Sequence, residues 1–263
     1  MIKTLTPQAL SIIDQYLHFK VGSGECSVPY FNNKTVKARA ALRSVSGKGN
    51  PQEITEEVQA ILIKDHVDLA VVTDEALKKV LTDNNIGIDC SAFAYYILDT
   101  EAHTQGKGSI KNGIHFAGAS GLIGKIRCSL RPIENFDVLT FADNKNSSVV
   151  ALNNVSPGDV ITMINGPEGD ERNHILIVHQ VDYTDAPAGK SGLTKISYSH
   201  AVAYPEDGVY GTGIKQGTID LTDMSMPLSK QNWSEGSFSN ETNPIRIRSD
   251  KSKTEIRRLN KLS

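Results

Sequence analysis

The chain predicts an α+β fold, and three observations carry that prediction. Helical periodicity dominates the N-terminal third, strand-like runs recur from Val155 to about residue 221, and polar connectors at 165–173 and 184–192 separate those runs. Helices first and strands second, with hairpin-length connections, imply a helical layer laid on a C-terminal antiparallel sheet.

Each element has a local cause. Thr6 is placed to cap a helix whose first position is Pro7, and Leu10, Ile13 and Leu17 then line one face as far as about Lys20. Gly22-Ser23-Gly24 breaks that helix, and Val28-Pro29-Tyr30-Phe31 reads as extended because proline restrains its predecessor. Helices are expected over 34–44 and 51–65, the second opened by Asn50, Pro51 and Glu53 in a capping-box arrangement. Thr73 caps another, running to about Leu81. After the turn-rich Asn84-Asn85-Ile86-Gly87-Ile88, a further helix starts at Asp89-Cys90-Ser91, with Phe93, Tyr96 and Ile97 at helical spacing. The stretch 103–125, rich in glycine, lysine and serine, reads as a surface loop, and Val138-Leu139-Thr140-Phe141 as a short strand. Strands follow at about 159–164, 174–182, 194–202 and 213–221. The tail over 229–244 is polar with the sole tryptophan, Trp233, and Ile245-Arg246-Ile247-Arg248 alternates as a half-exposed strand would.

Composition bounds the function. A chain of 263 residues with net charge -2 and interspersed acids and bases offers no basic face for nucleic acid or an anionic membrane. No apolar run reaches the roughly 18 residues of a membrane helix. Met1-Ile2-Lys3-Thr4-Leu5-Thr6-Pro7 lacks the pattern of a secretory leader, which predicts a cytoplasmic location, with export by another route as the alternative. The three cysteines, Cys26, Cys90 and Cys128, have no metal-like spacing, so neither metal nor cofactor is expected. They leave room for one reactive thiol, with a Cys26–Cys128 bridge as the alternative in an oxidising compartment.

Cys90 is the candidate nucleophile. In the first turn of a helix, unpaired amides and the positive dipole end favour an anion, so a thiol there is expected to ionise easily. On its own such a cysteine reads rather as a small buried hydrophobe, and the histidines further on shift the balance. Acyl transfer also needs an imidazole to take and return the proton, and a third polar group to hold that imidazole. Seven histidines compete: His18, His66, His103, His115, His174, His179 and His200. His174 and His179 lie five residues apart on one expected strand and so point to opposite faces. His174 stands beside the polar loop at the open end. His200 lies on the next strand, where an antiparallel neighbour brings it beside His174. Asp89, beside a helix start, is read as a cap on backbone amides.

Four motifs in order, Asp89-Cys90-Ser91-Ala92, Pro157-Gly158-Asp159, His174-Ile175-Leu176 and His200-Ala201, resemble the NlpC-type cell-wall peptidases, a papain-like cysteine family. The resemblance covers about residues 84–202, plus Pro29-Tyr30. Ala92 stands where that family usually has glycine, and Leu176 where it has a small residue. The resemblance implies one papain-like catalytic domain over 1–263, with a helical insertion at 34–81 and a polar C-terminal extension at 229–263. It implies Cys90 as nucleophile, His174 as base, His200 as orienting group and Tyr30 as a hydroxyl donor to the oxyanion. The implied function is hydrolysis of an amide in a peptide or peptidoglycan-fragment substrate through an acyl-enzyme. An acyltransferase would use the same residues. A non-catalytic peptide- or glycan-binding module and a zinc hydrolase built on Cys90, His174 and His200 are the alternatives from other classes.

Overall fold

The computed structural model describes residues 1–32, 42–116, 126, 128, 130–166, 173–184 and 192–263. Most of the helix expected over 34–44 and part of the loop at 103–125 lie outside those residues.

The helical layer forms where its caps predict. Helix α1 (Pro7–Leu17) opens with Pro7 inside the Thr6 cap, and Thr6 also donates from its amide and hydroxyl to buried Glu101, at 2.8 and 2.6 Å. Helix α2 (Pro51–Lys64) starts in a full capping box, Asn50 accepting from Glu53 and Glu53 from Asn50, at 2.8 and 2.9 Å. Thr73 caps α3 (Asp74–Asp83), and Asp89 caps α4 (Cys90–Thr104). Helix α4 is buried on most of its faces and packs on α1 and on the centre of the main sheet.

Gly22 does more than break α1. It turns a hairpin between two strands, Phe19–Val21 and Gly24–Cys26, at φ 62°, and a Cβ there would lie 2.0 Å from the carbonyl oxygen of Leu69. The chain on either side of α2 and α3 closes on itself. Ile88 N–H donates to Pro29 and Phe31 N–H to Ile88, at 3.0 and 3.1 Å, so Tyr30 lies beside the approach to Cys90 although 59 residues (89 − 30) separate it from Asp89.

In chain order, the further helices α5 (Pro132–Asn135), α6 (Val138–Ala142) and α7 (Pro244–Lys251) are short. The strands, counted from β1 (Ile2–Thr4) with the hairpin pair as β2 and β3, continue as β4 (Ser147–Val149), β5 (Val160–Ile164), β6 (His174–Tyr183), β7 (Leu193–Val202), β8 (Gly213–Asp220), β9 (Asn232–Glu235) and β10 (Lys253–Leu259). The main sheet is antiparallel, in the order β4-β10-β5-β6-β7-β8-β9, with β1 also paired to β6. The four strands expected between 159 and 221 therefore form a meander in its centre. Both of its faces are buried. Ile175, Ile177 and Ala201 join the core that contains α1 and α4, whereas Leu176, Val178 and Tyr198 join a second core with Trp233, Leu228 and Ile245.

Two expected strands are helices. Residues 138–141 lie in α6, because Asp137 accepts from the Thr140 amide at 2.8 Å and nucleates a turn. Residues 245–248 lie in α7, where the Asn243 cap and the following proline overrule the Ile-Arg alternation. The 229–263 tail, read as a polar extension, is integral to the fold. It supplies the edge strand β9, the second-face core residues and β10, an interior strand between β4 and β5. Arg258 of β10 explains Pro157-Gly158-Asp159. Gly158 turns at φ 90°, and the buried Asp159 carboxylate accepts both arms of Arg258, at 2.7 and 2.8 Å, and the Ser156 amide at 2.8 Å.

A bulge between Val178 and Gln180 places His179 at a break in the β6–β7 ladder. There it meets the hydroxyl of Ser199 at 2.9 Å, on the opposite face from His174, as strand parity requires. Burial pushes its imidazole down from 6.5 to about 4. The unfolded chain thus binds a proton that the folded chain refuses between those values, and stability should fall as pH drops from about 6.5 to about 4, by at most about 3 kcal/mol. Urea midpoints at pH 7 and pH 4.5 for wild type and His179→Gln check this, the variant losing that part of the pH dependence.

Candidate functional site

Cys90 occupies the first position of α4, where the sequence put it, and its surroundings are built by its neighbours. One oxygen of Asp89 accepts from the Ala92 amide at 2.7 Å and from the Ser91 hydroxyl at 2.8 Å, the capping role expected of it. The other pairs with Lys48 at 2.8 Å. Lys48 is buried. Its ammonium also donates to Ser91 Oγ and to the carbonyl of Phe136, at 2.8 and 2.9 Å, so all three of its protons are used. The carbonyl of Lys48 accepts from the Tyr96 hydroxyl at 2.7 Å, which ties the same residue to α4 a second time.

The β6–β7 ladder ends at Ile177–Ser199, although the strands run on to His174 and Val202. In that opening the amide of Ile175 donates to the Cys90 sulfur instead. The thiol of α4 thus reaches the sheet at the residue next to His174. His174 comes from the other face, on the side of Leu176 and Tyr198.

The thiol does not ionise easily, contrary to the sequence expectation. Burial, followed by the Asp89 carboxylate, pushes it up from 9.0 to about 12, against the smaller opposing influences of Lys48, the Ile175 amide and Arg248. The helix terminus is outweighed because Cys90 is only 5% exposed.

The two expected histidines are joined. His174 Nε2 lies 2.8 Å from His200 Nδ1, a diagonal contact across adjacent strands. The chain of contacts continues beyond the expected residues. His200 Nε2 lies 2.8 Å from Glu235 Oε2, and the Tyr204 hydroxyl donates to Glu235 Oε1 at 2.6 Å. All four side chains are buried. Burial alone would raise the Glu235 carboxyl, but His200 and the hydrogen bonds around it bring the carboxyl below its usual range, so the site holds a carboxylate. Tyr204 is driven strongly upward by burial and by Glu235, and stays a phenol.

Glu235 and Lys48 escaped the sequence reading, and Tyr204 enters it only as the aromatic edge of a turn that follows the His200 strand. Glu235 lies two residues from Trp233 on β9, and both are buried on one face, but a four-residue strand is too short for the alternation to show. A better signal was Gly217 inside β8. A Cβ there would lie 2.3 Å from the Tyr198 hydroxyl, so the missing side chain makes room beside Glu235, its pairing partner on β9. Tyr30 is half-buried, with its hydroxyl accepting from Asn32 at 3.3 Å. His18, His103 and His115 instead pair with surface carboxylates, at 2.7, 3.7 and 2.9 Å.

Cys26, Cys90 and Cys128 are all free thiols, so the Cys26–Cys128 bridge is not formed. Among the described residues no group of three or more His, Cys, Asp or Glu side chains is arranged to hold a metal ion, and no helix is long and apolar enough to cross a membrane. No protein-family model, curated protein or solved structure matches this chain.

Lys48 is the testable anchor of the site. Lys48→Met leaves Asp89 a buried carboxylate without its cation and should cost about 3–5 kcal/mol, read as a lower denaturant midpoint. Ser91→Ala, which removes a hydroxyl and no charge, should cost about 1 kcal/mol.

Proposed function

We propose that the protein is a papain-like cysteine hydrolase of the NlpC type that cleaves an amide bond. The observation that carries this reading is the sequence of contacts at the open end of β6. A helix-terminal thiol accepts from the Ile175 amide, and the preceding residue is an imidazole hydrogen-bonded to a second imidazole. A Cys-bearing helix laid on an antiparallel sheet, with histidines on the two adjoining strands, is the arrangement that the motif resemblance implies.

The resting state sets the order of events. Because the thiol is held protonated, sulfur attacks the carbonyl carbon as His174 takes its proton, so no thiolate is stored beforehand. The oxyanion faces the start of α4, where the Cys90 amide and the helix dipole favour negative charge, with the Tyr30 hydroxyl as a further donor. Collapse expels the amine with the proton from His174 and leaves an acyl-enzyme on Cys90. Water, deprotonated by His174, then releases the acid; an amine or alcohol acceptor in its place would make the same site an acyltransferase. Peptidoglycan-type peptides are the substrate class that the resemblance supplies. A non-catalytic binding module is the second reading, and what favours it is the burial that pushes the Cys90 thiol up to about 12.

Incubation with peptidoglycan stem peptides, followed by acid quench and mass spectrometry, tests this function. The expected result is cleaved peptide with a transient acyl mass on Cys90, abolished in Cys90→Ala and slowed about 10²–10⁴-fold in His174→Ala. Turnover that survives Cys90→Ala would overturn the mechanism. Binding without any product, read by calorimetry, would assign the module instead.

A further inference from the structure

The cation beside the Cys90 helix comes from outside the four motifs. Lys48 belongs to residues 34–81, the stretch that the resemblance reads as a helical insertion. Its backbone is nonetheless fastened to the approach to α4. The Lys48 amide donates to the Arg43 carbonyl at 2.9 Å, the Gly47 carbonyl accepts from the Asp89 amide at 2.9 Å, and Lys48 pairs with Ile88 in an antiparallel bridge beside the Tyr30–Ile88 bridge. The chain is thus led past Asp89 in a form that brings one long side chain to Asp89, Ser91 and the Phe136 carbonyl.

The charge of that side chain follows from its partners. Ser91 Oγ has a single proton, spent on Asp89 at 2.8 Å or on the Phe136 carbonyl at 3.0 Å, so toward Lys48 it only accepts. The Phe136 carbonyl and Asp89 Oδ2 accept as well, at 2.9 and 2.8 Å. Three acceptors need three N–H groups, which an ammonium has and a neutral amine lacks. We propose that Lys48 is a positioning residue that acts through Asp89: it offsets the charge of the helix cap beside Cys90 and thereby keeps the sulfur reactive.

The need for such a cation is electrostatic. Asp89 sits beside the sulfur because it caps α4, and in a buried site a carboxylate opposes a neighbouring thiolate over several ångströms. An ammonium 2.8 Å away turns that single charge into a dipole, whose field at the sulfur falls off faster. The other groups that act on the thiol are the Ile175 amide of β6, next to His174, and Arg248 of α7. Both favour the thiolate, as Lys48 does, and more weakly. The inserted stretch is therefore part of the site.

The catalytic meaning of Lys48 rests on the proposed hydrolase, but the test needs no substrate. Alkylation of the folded protein by iodoacetamide between pH 7 and 9.5, followed peptide by peptide with mass spectrometry, reads the thiolate at Cys90, with Cys26 and Cys128 as internal controls. The thiolate fraction changes tenfold for each unit of pKa and altered nucleophilicity returns part of that, so the expected change on removing one charge is about 3- to 10-fold. Alkylation should be slower in Lys48→Met, faster in Asp89→Asn, whose amide still caps α4, and near wild type in the double variant. Ser91→Ala removes a fastening and no charge, and should leave the rate unchanged. A purely structural lysine gives another pattern: loss of either partner loosens the helix start and bares the sulfur, so both single variants would react faster, and that result would overturn the proposal. An unchanged rate in folded Asp89→Asn, or a Ser91→Ala rate raised as much as that of Asp89→Asn, would also overturn it, and these two variants decide alone if Lys48→Met does not fold. Reactivity that follows the two charges in a protein that cleaves no peptide would overturn the hydrolase and leave the charge balance standing. Cleavage with Cys90 indifferent to both charges would do the reverse.

Discussion

A carboxylate that is only 3% exposed, Glu235, sets a constraint that reaches across this molecule. A lone buried charge costs several kcal/mol, so Glu235 requires partners that meet both its oxygens. Tyr204 and His200 supply them, from the end of β7 and the turn after it. Those partners fix where the edge strand β9 lies, and β9 is the start of the tail that covers the second face of the sheet. The polar C-terminal segment is thus bound into the centre of the protein by the same contacts that reach the candidate base.

The Cys90 thiol obeys a different balance. The amides at a helix start, Lys48 and the Ile175 amide all favour a thiolate at Cys90, yet burial and the neighbouring Asp89 weigh more. Asp89 is needed where it is, because it caps α4 and meets the buried ammonium of Lys48. The geometry of the helix start therefore comes with a negative charge beside the sulfur. In the proposed hydrolase a thiol in that position works only with a base that removes its proton during attack, which places the chemical burden on the imidazoles.

What was legible in the sequence was what local rules decide. The caps at Thr6, Asn50, Thr73 and Asp89, the meander from β5 to β8 and the opposition of His174 and His179 follow from spacing and hydrogen-bonding capacity within a few residues. The α6 and α7 segments were misread because a cap residue one to five positions upstream outvoted side-chain alternation. The membership of β10 was not legible. Its place between β4 and β5 depends on Arg258 reaching Asp159 across 99 residues, and no window on the sequence contains both. Lys48 and Glu235 were hidden for the same reason. Each is a charged residue whose burial is compensated only by partners distant in the chain.

The motif that drew attention first turns out to carry the least chemical information. Asp89 and Ser91 flank Cys90 as fastenings: one caps the helix and grips Lys48, the other bridges Lys48 and Asp89. Any helix start pinned over a sheet by a buried lysine would call for the same pair, whether the residue between them were reactive or inert. Pro157-Gly158-Asp159 is likewise structural, a turn whose carboxylate receives Arg258. The discriminating feature is the His174–His200 pair and the carboxylate behind it, because a structural histidine is satisfied by one local acceptor, as His179 is by Ser199. Two imidazoles in series behind a buried carboxylate, at the residue next to Ile175, exceed what a single local acceptor would satisfy, and the proposed hydrolase reading draws on that excess.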